Sequence, residues 1–553
     1  MATEQKSSCG DGGGSIDPKS GFCSKTKTFH SLRPKSQLPL QTTPLSLTHY
    51  ILSSLHQSPP PPSTPALVHA TTGHQILYPE FILRVQNLAA SLQSQLGLSH
   101  GQCAFVLSPN SLNLPILHLS LLYLGVIVSP SNPASSNPEI SRQISLCNPA
   151  VAFATSDTAH KIPNSLRLGT VLLDSSEFES MMLKCPSSTK WSQISVSQSD
   201  TATILYSSGT TGRVKGVELT HRNWISNLAS SAARNASAPH AVCLCTAPFF
   251  HVYGIAYCLR ALATGDTLVW MARFDMKAML GSIERFGITH VAWAPPVAVA
   301  LTKYGDGNEM GGYDLSSLQV IACGGAPLAK SVIEKLRERL PNVQVSQAYG
   351  MTETTARVFA AVGPEETGVE GANGKLMSDL EAKIVDPESG TALPPLMHGE
   401  LWVRGPNIMK GYVGDEAATA AILDSEGWLK TGDICYIDNQ GFLFFVDRLK
   451  ELIKYKGYQV APAELEDLLH SHPDIVDAAV IPYPDEEAGQ VPMAFVVRCL
   501  GSAIDESQIK DFIAKQVAPY KKIRRVTFTM AIPKNAQGKV LRKELIKLAP
   551  SKL

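Results

Sequence analysis

The stretch T-I-L-Y-S-S-G-T-T-G-R-V-K-G at residues 203–216 joins an apolar run to a loop of glycines and hydroxyl side chains. The run is typical of a β-strand, and we expect a helix capped near Thr220 to follow the loop. Glycines expose backbone N–H groups to a polyphosphate, hydroxyls add donors, and Lys215 adds a positive charge. The spacing differs from that of a Walker A sequence. We therefore predict a phosphate-binding loop rather than a Ser/Gly linker, but not a P-loop kinase or GTPase.

Strand-like and helical patterns alternate around this loop. The predicted strands include residues 203–206, 289–293 and 343–346, and the predicted helices include residues 276–286 and 331–340. This alternation favours a mixed α/β chain. With 553 residues the chain is too long for a single core, so we expect at least two domains.

A compact C-terminal unit follows the motif D-R-L-K at residues 447–450, which itself follows a strand-like run at residues 442–446. We predict a helix that begins at Pro462, strands at residues 478–481 and 493–498, and a helix at residues 506–517. Residues 521–553 hold ten Lys or Arg against one acidic residue, Glu544. That basic region is either a solvated face or a site for an anionic ligand shared with the larger domain.

Composition excludes several classes of protein. The 48 basic and 48 acidic side chains give a formal net charge of +0, which excludes a polybasic protein that coats DNA. The eleven cysteines are scattered, and the spacing of Cys243 and Cys245 does not suit a CxxC zinc or redox site. Residues 1–45 are poor in large apolar groups, so we expect them to be disordered. The most apolar stretch, residues 112–128, contains polar and proline residues and predicts a buried helix and strand rather than a membrane span.

The final tripeptide, Ser551-Lys552-Leu553, matches the address that the peroxisomal import receptor reads. No secretory signal pattern opens the chain. We therefore expect import into the peroxisome, with the import receptor as a partner. The alternative is a plain basic tail on a cytoplasmic protein.

Several further segments, taken in order, resemble the adenylate-forming enzymes, a family of acyl-CoA synthetases, adenylation domains of peptide synthetases and beetle luciferases. The segments are Y-G-M-T-E at 349–353, G-E-L at 399–401 with Gly405, T-G-D at 431–433, Arg448 with Lys450, residues 454–459, and Pro533 through Lys539. The resemblance covers about residues 45–553. Within the family, residues 447–466 look most like plant 4-coumarate-CoA ligase and its peroxisomal relatives.

The resemblance implies a large N-terminal domain over residues 46–447, with two β-sheets, flanking helices and a β-barrel-like part. A hinge at residues 448–450 would lead to a small, mobile α+β lid domain at residues 451–553. In the implied reaction, a carboxylate attacks the α-phosphate of Mg-ATP to give an acyl-adenylate and pyrophosphate, and the thiol of CoA then displaces AMP. The implied ligands are Mg²⁺, ATP, CoA and a small carboxylic acid. Neither a nucleic acid nor a membrane is expected as a partner, and we expect a monomer.

The resemblance also assigns an ATP site. The β- and γ-phosphates would be held by a loop that comprises Ser207, Ser208, Gly209, Thr210, Thr211 and Lys215. The adenine site would be lined by Gln347, Ala348 and Tyr349, and Thr352 would contact the α-phosphate. Glu353 would help to hold Mg²⁺, because that cation prefers few protein carboxylates and several substrate oxygens. The ribose would lie beside Asp433 and Arg448, and Lys539 would bridge the α-phosphate and the carboxylate.

The second half-reaction would use a different set of residues after the lid swings about Lys450. By resemblance, Arg273, Lys456 and Gly457 would contact CoA, and Lys454 and Gln459 would contact the adenylate in one of the two states. His251 would stand with Tyr253 at the wall between the acyl pocket and the CoA tunnel. A packed histidine is the alternative for His251.

The acyl pocket would be lined by Tyr253, Gly254, Cys323, Gly325, Ala348, Arg357, Lys450 and Lys454. Here the sequence departs from 4-coumarate-CoA ligases, which usually have Gly where this chain has Ala348 and P-V-L where it has A-R-V at 356–358. We therefore expect an aryl-alkenoic acid of cinnamic, coumaric or extended aryl-dienoic type, as in phenylpropanoid metabolism. The alternative is a fatty or jasmonate-precursor acid.

Three rival functions are less compatible with the sequence. A luciferase-like oxidation is disfavoured because luciferases usually read H-G-F-G-M where this chain reads H-V-Y-G-I at 251–255. A peptide-synthetase adenylation domain would need a carrier domain downstream. A protein that only binds its ligand would not need Lys215, Glu353, Asp433 and Lys539 together.

Overall fold

The computed structural model of the chain describes residues 15–184, 194–207, 214–230, 240–304, 312–325, 328, 330–456, 458–535 and 538–549. The strands in these residues are β1 (Phe22–Cys23), β2 (Thr28–His30), β3 (Pro65–His69), β4 (Gln75–Leu77), β5 (Cys103–Leu107), β6 (Ile127–Ser131), β7 (Val151–Ala154), β8 (Thr170–Leu172), β9 (Thr201–Ser207), β10 (Lys215–Thr220), β11 (Val242–Cys245), β12 (Thr267–Trp270), β13 (His290–Trp293), β14 (Val320–Cys323), β15 (Gln344–Met351), β16 (Ala356–Ala360), β17 (Lys375–Leu376), β18 (Glu381–Val385), β19 (Gly399–Arg404), β20 (Gly411–Tyr412), β21 (Leu429–Ile437), β22 (Leu443–Arg448), β23 (Ile453–Tyr455), β24 (Tyr458–Val460), β25 (Ile475–Asp485), β26 (Gly489–Arg498) and β27 (Arg525–Phe528).

The α-helices in the same residues are α1 (Leu47–Gln57), α2 (Tyr78–Leu96), α3 (Asn113–Tyr123), α4 (Asn137–Cys147), α5 (Ser176–Leu183), α6 (His221–Ala229), α7 (Val252–Ala263), α8 (Met276–Phe286), α9 (Pro295–Lys303), α10 (Lys330–Arg339), α11 (Gly363–Thr367), α12 (Glu416–Ile422), α13 (Pro462–His470), α14 (Glu506–Ala514) and α15 (Arg542–Leu548). Short 3-10 helices span Ala159–Lys161, Thr352–Thr354 and Pro519–Lys521.

Two large sheets form the body of the N-terminal domain. One has nine strands in the order β17-β16-β15-β14-β13-β11-β12-β3-β4, and the other has seven in the order β20-β10-β9-β6-β5-β7-β8. The inner strands of the first sheet, β15, β14, β13, β11, β12 and β3, run parallel. An antiparallel neighbour follows at each end, β16 beside β15 and β4 beside β3. Helices connect the parallel strands, so the predicted mixed α/β class is confirmed.

A third sheet stands where the sequence resemblance implied a barrel-like part. It has six antiparallel strands in the order β1-β2-β18-β19-β21-β22. In the described residues its outer strands, β1 and β22, do not pair with each other, so the sheet stays open. No closed barrel forms among the described residues, because closure would need a hydrogen-bonded ladder between those two edges.

Part of the N-terminal segment is ordered, which differs from the expected disorder of residues 1–45. Strand β2 pairs with β18, and the ring of Phe29 is 1% exposed and packs against Phe22 at 4.9 Å between ring centroids. Two aromatic anchors therefore order the segment from residue 15 onward despite its polar composition. Residues 1–14 lie outside the described part of the chain.

The apolar stretch at residues 112–128 forms the buried helix α3 and the start of strand β6, as predicted. Residues 114–122 are all buried, and the helix packs against α1 and α2. In the described part of the chain, no helix is both long and apolar enough to cross a membrane.

The C-terminal unit is a small α+β domain. Its sheet has the order β24-β23-β26-β25, with β27 paired to β26. Alternate residues of β25 face two cores: Ala478 and Val480 pack with α13 and α14, while Ala479 and Ile481 pack with Leu545 of α15. The predicted helices at residue 462 and residue 506 and both predicted strands are present.

Candidate active site

A cavity of about 2350 Å³ lies between the two domains. Several of its lining residues follow the carboxyl ends of neighbouring parallel strands: Pro295 follows β13, Gly324 follows β14, and Thr352 follows β15. In α/β proteins this is where ligands bind. The cavity brings together these predicted site residues: Ser207, Lys215, His251, Tyr253, Cys323, Gly325, Ala348, Tyr349, Thr352, Glu353, Arg357, Asp433, Arg448 and Lys539.

The predicted phosphate loop connects two antiparallel strands, β9 and β10, rather than a strand and a helix. The helix capped by Thr220 begins only after β10. The predicted helix capped at Thr220 is therefore present, but an unpredicted strand precedes it: the short alternation K-G-V-E-L-T at 215–220 forms β10, with Val217 and Leu219 fully buried. Ser208, Gly209, Thr210 and Thr211 lie outside the described residues.

Glu353 lines the cavity at the end where the phosphate site is predicted, and it is only 4% exposed. Its Oε1 accepts hydrogen bonds from Ser207 Oγ at 3.1 Å and from Tyr412 Oη at 2.9 Å. Both hydroxyls donate to the same oxygen, which fixes the carboxylate and leaves Oε2 for a cation. Lys215 Nζ lies 4.4 Å from the centre of the Tyr412 ring, so a positive charge stands beside this carboxylate.

The carboxylate of Glu353 and the side chains around it fit a site for Mg²⁺. Among the residues described, no cluster of three or more His, Cys, Asp or Glu side chains could hold a metal by itself. One oriented carboxylate suits a cation that keeps several water ligands and takes the rest of its oxygens from substrate phosphates. Glu353 is therefore the residue that would hold it.

The predicted nucleoside end of the cavity is built on two neighbouring strands. Asp433 of β21 pairs in register with Arg448 of β22, and its Oδ1 lies 3.5 Å from Arg448 Nε. Its Oδ2 accepts a hydrogen bond from Tyr349 Oη at 2.7 Å. Burial raises the pKa of the Asp433 carboxyl, and Arg448 opposes that effect. The carboxylate is thus oriented from both sides before any ribose hydroxyl binds.

Lys539 reaches this end of the cavity from the small domain. Asn535 Oδ1 accepts a hydrogen bond from the backbone N–H of Lys539 at 2.9 Å, which shapes its loop. Gly538, at φ +82°, lies against Pro296 of the large domain, where a Cβ would come within 2.4 Å of the proline ring. Burial, and then the charge of Arg448, lower the pKa of Lys539 to about 8. The lysine therefore faces the same space as Asp433 and Arg448.

His251 caps the N-terminus of α7, where its Nδ1 accepts a hydrogen bond from the backbone N–H of Tyr253. Burial lowers its pKa to about 4, so the imidazole is neutral at pH 7. The Tyr253 hydroxyl donates to the carbonyl of Ala322 at 2.8 Å, and its ring lies beside Gly324. His251 and Tyr253 thus form one wall of the cavity. His251 is therefore both a packed histidine and a residue of the cavity wall.

Two residues predicted to line the ligand sites lie elsewhere. Gly254 packs against the backbone of Pro248, where a Cβ would lie 2.2 Å from the carbonyl oxygen. The amide of Gln347 donates to Ala372 on the other side of β15, because successive side chains of a strand point to opposite faces. Its neighbour Ala348 faces the cavity instead.

Of the residues predicted for the second half-reaction, Arg273, Lys450, Lys454 and Lys456 lie away from the cavity in this domain arrangement. The backbone N–H of Lys454 donates to Gln490, and Lys456 Nζ lies 3.7 Å from Glu487. Lys450 is exposed; desolvation of its amine, and then the charge of Arg448, lower its pKa. Arg273 is exposed before α8. Gly457 and the side chain of Gln459 are outside the described part of the structure.

A largely buried ionic cluster lies within the small domain, next to the end of the large domain, and sequence reasoning missed it. Arg542 makes a bidentate contact with Glu466 at 2.7 and 2.8 Å and approaches Glu451 at 3.0 Å. Nearby, Asp447 accepts hydrogen bonds from the backbone N–H groups of Ala463 and Arg448. Burial raises the pKa of Asp447 to about 7. The hydrogen bond from Ala463 to Asp447 ties α13 of the small domain to the end of the large domain.

Sequence comparisons identify the family. The AMP-binding enzyme family matches residues 56–413, and the AMP-binding enzyme C-terminal domain matches residues 464–539. The chain is 50% identical to 4-coumarate--CoA ligase-like 9 of Arabidopsis thaliana, with 97% of each chain covered. It is 46% identical to Peroxisomal OPC-8:0-CoA ligase 1 of the same plant, with 97% of this chain and 99% of that protein covered.

Solved structures agree with this result. ATP-bound MatB of Rhodopseudomonas palustris matches with a TM-score of 0.82 at 26% identity, over 91% of this chain and 99% of that one. The o-succinylbenzoate CoA synthetase of Bacillus subtilis, in complex with its acyl-adenylate intermediate, matches with a TM-score of 0.77 at 27% identity, over 91% and 98%. The chain therefore belongs to the AMP-binding enzyme family, the adenylate-forming enzymes that its motifs resemble.

Proposed function

We propose that this chain is an AMP-forming carboxylate–CoA ligase. The observation that carries the proposal is the position of Lys539, which the small domain inserts into the cavity beside Asp433 and Arg448. A lysine held there can contact both the α-phosphate and the incoming carboxylate, whose charges must be neutralised as they approach. A protein that only stored a nucleotide would have no need for this cation.

In the first half-reaction, an oxygen of the carboxylate forms a bond to the α-phosphorus and pyrophosphate leaves. Asp433 and Tyr349 hold the nucleoside, and Lys215 and Thr352 would contact the phosphates. Glu353 would hold Mg²⁺, which supplies positive charge to the phosphate oxygens when it is bound. Positioning and charge neutralisation therefore account for the catalysis, without a covalent intermediate on the protein.

In the second half-reaction, the sulfur of CoA attacks the acyl carbon and AMP leaves. The hairpin formed by β23 and β24 carries Lys454 and Lys456 and lies outside the cavity at present. We propose that rotation about Lys450 withdraws Lys539 and brings this hairpin to the adenylate. His251, neutral at pH 7 because of its burial, then forms part of the wall that the thiol passes.

For the acid, the proposal is an aryl-alkenoic acid of cinnamic, coumaric or extended aryl-dienoic type. A fatty or jasmonate-precursor acid is a second candidate, favoured by the 46% identity to a protein named Peroxisomal OPC-8:0-CoA ligase 1. The same name supports a peroxisomal location, which the terminal tripeptide Ser551-Lys552-Leu553 also indicates; these three residues lie outside the described structure.

The test is incubation of the purified protein with Mg-ATP, CoA and a panel of acids that spans these classes, with acyl-CoA detected by mass. A thioester from at least one class, with one AMP released per thioester, is the expected result. AMP release without thioester would point to another acyl acceptor, and light emission with luciferin and oxygen would favour the luciferase reading. If no acid yields AMP or thioester, the proposed function is wrong.

A further inference from the structure

The side-chain amide of Asn110 connects three segments that leave the two large sheets. Asn110 lies just beyond the end of β5, in the seven-stranded sheet, and is half-buried. Its Oδ1 accepts a hydrogen bond from the backbone N–H of Phe249 at 3.0 Å. Its Nδ2 donates to the carbonyls of Ala247 at 3.2 Å and Met271 at 3.4 Å. One amide thus uses both its donor group and its acceptor across the boundary between the sheets.

The segments that the amide contacts follow two neighbouring strands of the nine-stranded sheet. β11 and β12 pair in parallel, with Cys245 in register with Trp270, so their carboxyl ends lie at the same edge of the sheet. Ala247 and Phe249 belong to the loop at residues 246–251 that joins β11 to α7, here called the His251 loop, and Met271 directly follows β12. Asn110 therefore holds two strand ends of one sheet against a strand end of the other.

The His251 loop has a second anchor that does not depend on Asn110. The ring of Phe249 is 1% exposed, and its centroid lies 5.1 Å from that of Trp270 and 4.7 Å from that of His118. Burial of a large aromatic side chain holds the loop on the sheet, whereas hydrogen bonds to its backbone set its exact path. We therefore expect loss of the amide to shift the loop rather than to unfold it.

The backbone that Asn110 fixes leads directly to the cavity wall. The N–H of His251 donates to the carbonyl of Pro248 at 3.2 Å, which folds the loop into a turn. That turn is tight, because a Cβ on Gly254 would lie 2.2 Å from the same carbonyl oxygen. His251 lines the cavity, while Asn110 lies outside it. A shift at Phe249 would therefore be passed through this turn to His251.

We infer that Asn110 is a positioning residue for the second half-reaction and acts through the His251 loop. It sets the place of the wall that the thiol of CoA passes, and its bond to Met271 ties that wall to the segment leading to Arg273. Misplacement of a reacting group by about 1 Å can cost as much as a hundredfold in rate. The residues proposed for adenylation, Asp433, Arg448 and Lys539, stand on other elements and keep their geometry without the amide. This inference rests on the proposed ligase function and adds a residue to it.

The test measures the two half-reactions of Asn110→Ala separately, with the acid of the panel above that gives the most acyl-CoA and with its acyl-AMP. For acyl-CoA formation from supplied acyl-AMP, kcat/KM for CoA should fall by about tenfold or more, whereas ATP-dependent pyrophosphate release should change by less than about threefold. Equal losses in the two half-reactions, or unchanged acyl-CoA formation, would overturn the inference but leave the ligase function intact. If the wild type gives neither AMP nor thioester with any acid, the proposed function itself fails.

Asn87→Ala is the matched control. Asn87 is 5% exposed on α2, away from the cavity, and its Nδ2 donates to the carbonyl of Met182 at 3.1 Å. The substitution removes a buried amide of the same domain, so it should lower the melting temperature and keep the wild-type ratio of the two half-reaction rates. A selective loss of acyl-CoA formation in this variant as well would show that general destabilisation produces the effect, and the role of Asn110 would be structural only.

A double-mutant cycle shows whether Asn110 acts through the His251 loop. In a His251→Ala background, Asn110→Ala should lower kcat/KM for CoA by about threefold or less, because the side chain that the amide positions is gone. The same loss in both backgrounds would contradict the inference. Asn110→Asp keeps an acceptor for the N–H of Phe249 and loses both donors, so it carries the same half-reaction test if Asn110→Ala does not fold. A selective loss of acyl-CoA formation is expected in this variant too, and an unselective loss would count against the inference.

Discussion

The phenol of Tyr349 donates a hydrogen bond to Asp433 across 2.7 Å, linking the end of β15 in the nine-stranded sheet to β21 in the six-stranded sheet. The bond joins two of the three sheets of the N-terminal domain at the floor of the cavity. Because Arg448 lies beside the other oxygen of the same carboxylate, the fold alone orients Asp433 in the proposed nucleoside site. The site is therefore preorganised for binding rather than assembled by the ligand.

Substitution of Asp433 should weaken ATP binding. Asp433→Asn removes the charge that opposes Arg448 and should lower kcat/KM for ATP by about tenfold to a hundredfold, as for a hydrogen bond to a charged group. Tyr349→Phe keeps the ring and loses only the hydroxyl, so its effect should be several times smaller. ATP-dependent pyrophosphate release measures both. A larger loss in Tyr349→Phe than in Asp433→Asn would contradict this account of the site.

Adenylate formation should decline at alkaline pH. The pKa of Lys539 lies at about 8, lowered by burial and by Arg448, and only the protonated amine carries the charge that the reaction needs. The fraction of cationic Lys539 falls as pH rises through that value, so kcat/KM for adenylation should fall above about pH 8. Lys539→Arg should move the decline to higher pH, since a guanidinium stays charged. A wild-type profile that is flat from pH 7 to pH 10 would rule out this role for the lysine.

Asp447 should make the protein less stable as pH rises. Its pKa is raised by burial to about 7, so between pH 4 and pH 7 the native state binds more protons than the unfolded state, and its contribution to stability falls with rising pH. Asp447→Asn removes this titration and retains an acceptor for the N–H of Ala463. The melting temperature of the variant relative to wild type should increase steadily from pH 5 to pH 8. A difference that does not change with pH would show that Asp447 does not titrate in this range.

The hairpin lysines should act in the second half-reaction only. Lys456 lies outside the cavity, beside Glu487, in the present arrangement of the domains. We expect Lys456→Ala to raise the KM for CoA by about tenfold, since a single charged contact would be lost. Pyrophosphate release should stay close to that of the wild type. A parallel loss in both half-reactions would mean that the hairpin does not alternate with Lys539.

Much of the fold was predictable because its elements are regular. Helix α8 spans residues 276–286 as predicted, and β13 follows from its run of apolar residues. Strand β10 was missed because it is six residues long and ends at the Thr220 cap, whose helix signal dominates the pattern. The N-terminal segment was missed because two phenylalanines order it, and composition averages do not reveal so small an anchor.

The site residues that belong to sequence motifs could be predicted, whereas those that only the packing of the chain brings to the cavity were harder to predict. The cavity contains Lys215, Glu353, Asp433 and Lys539, as the ordered motifs predicted. Tyr257 and Arg260 were missed because a helix face with one polar group per turn resembles an ordinary core helix; their spacing from Tyr253 was the available signal. The position of the hairpin depends on how the domains pack, for which a linear sequence offers no pattern.

In the proposed cycle, Lys539 serves adenylation and leaves the cavity before thioester formation. The most direct measurement is Lys539→Ala assayed in two parts: pyrophosphate release from acid and ATP, and acyl-CoA formation from supplied acyl-AMP and CoA. We expect a loss of about a hundredfold or more in the first part, as for a buried charge aimed at the transition state, with the second part much less affected. Equal losses in the two half-reactions, or no loss in the first, would contradict it.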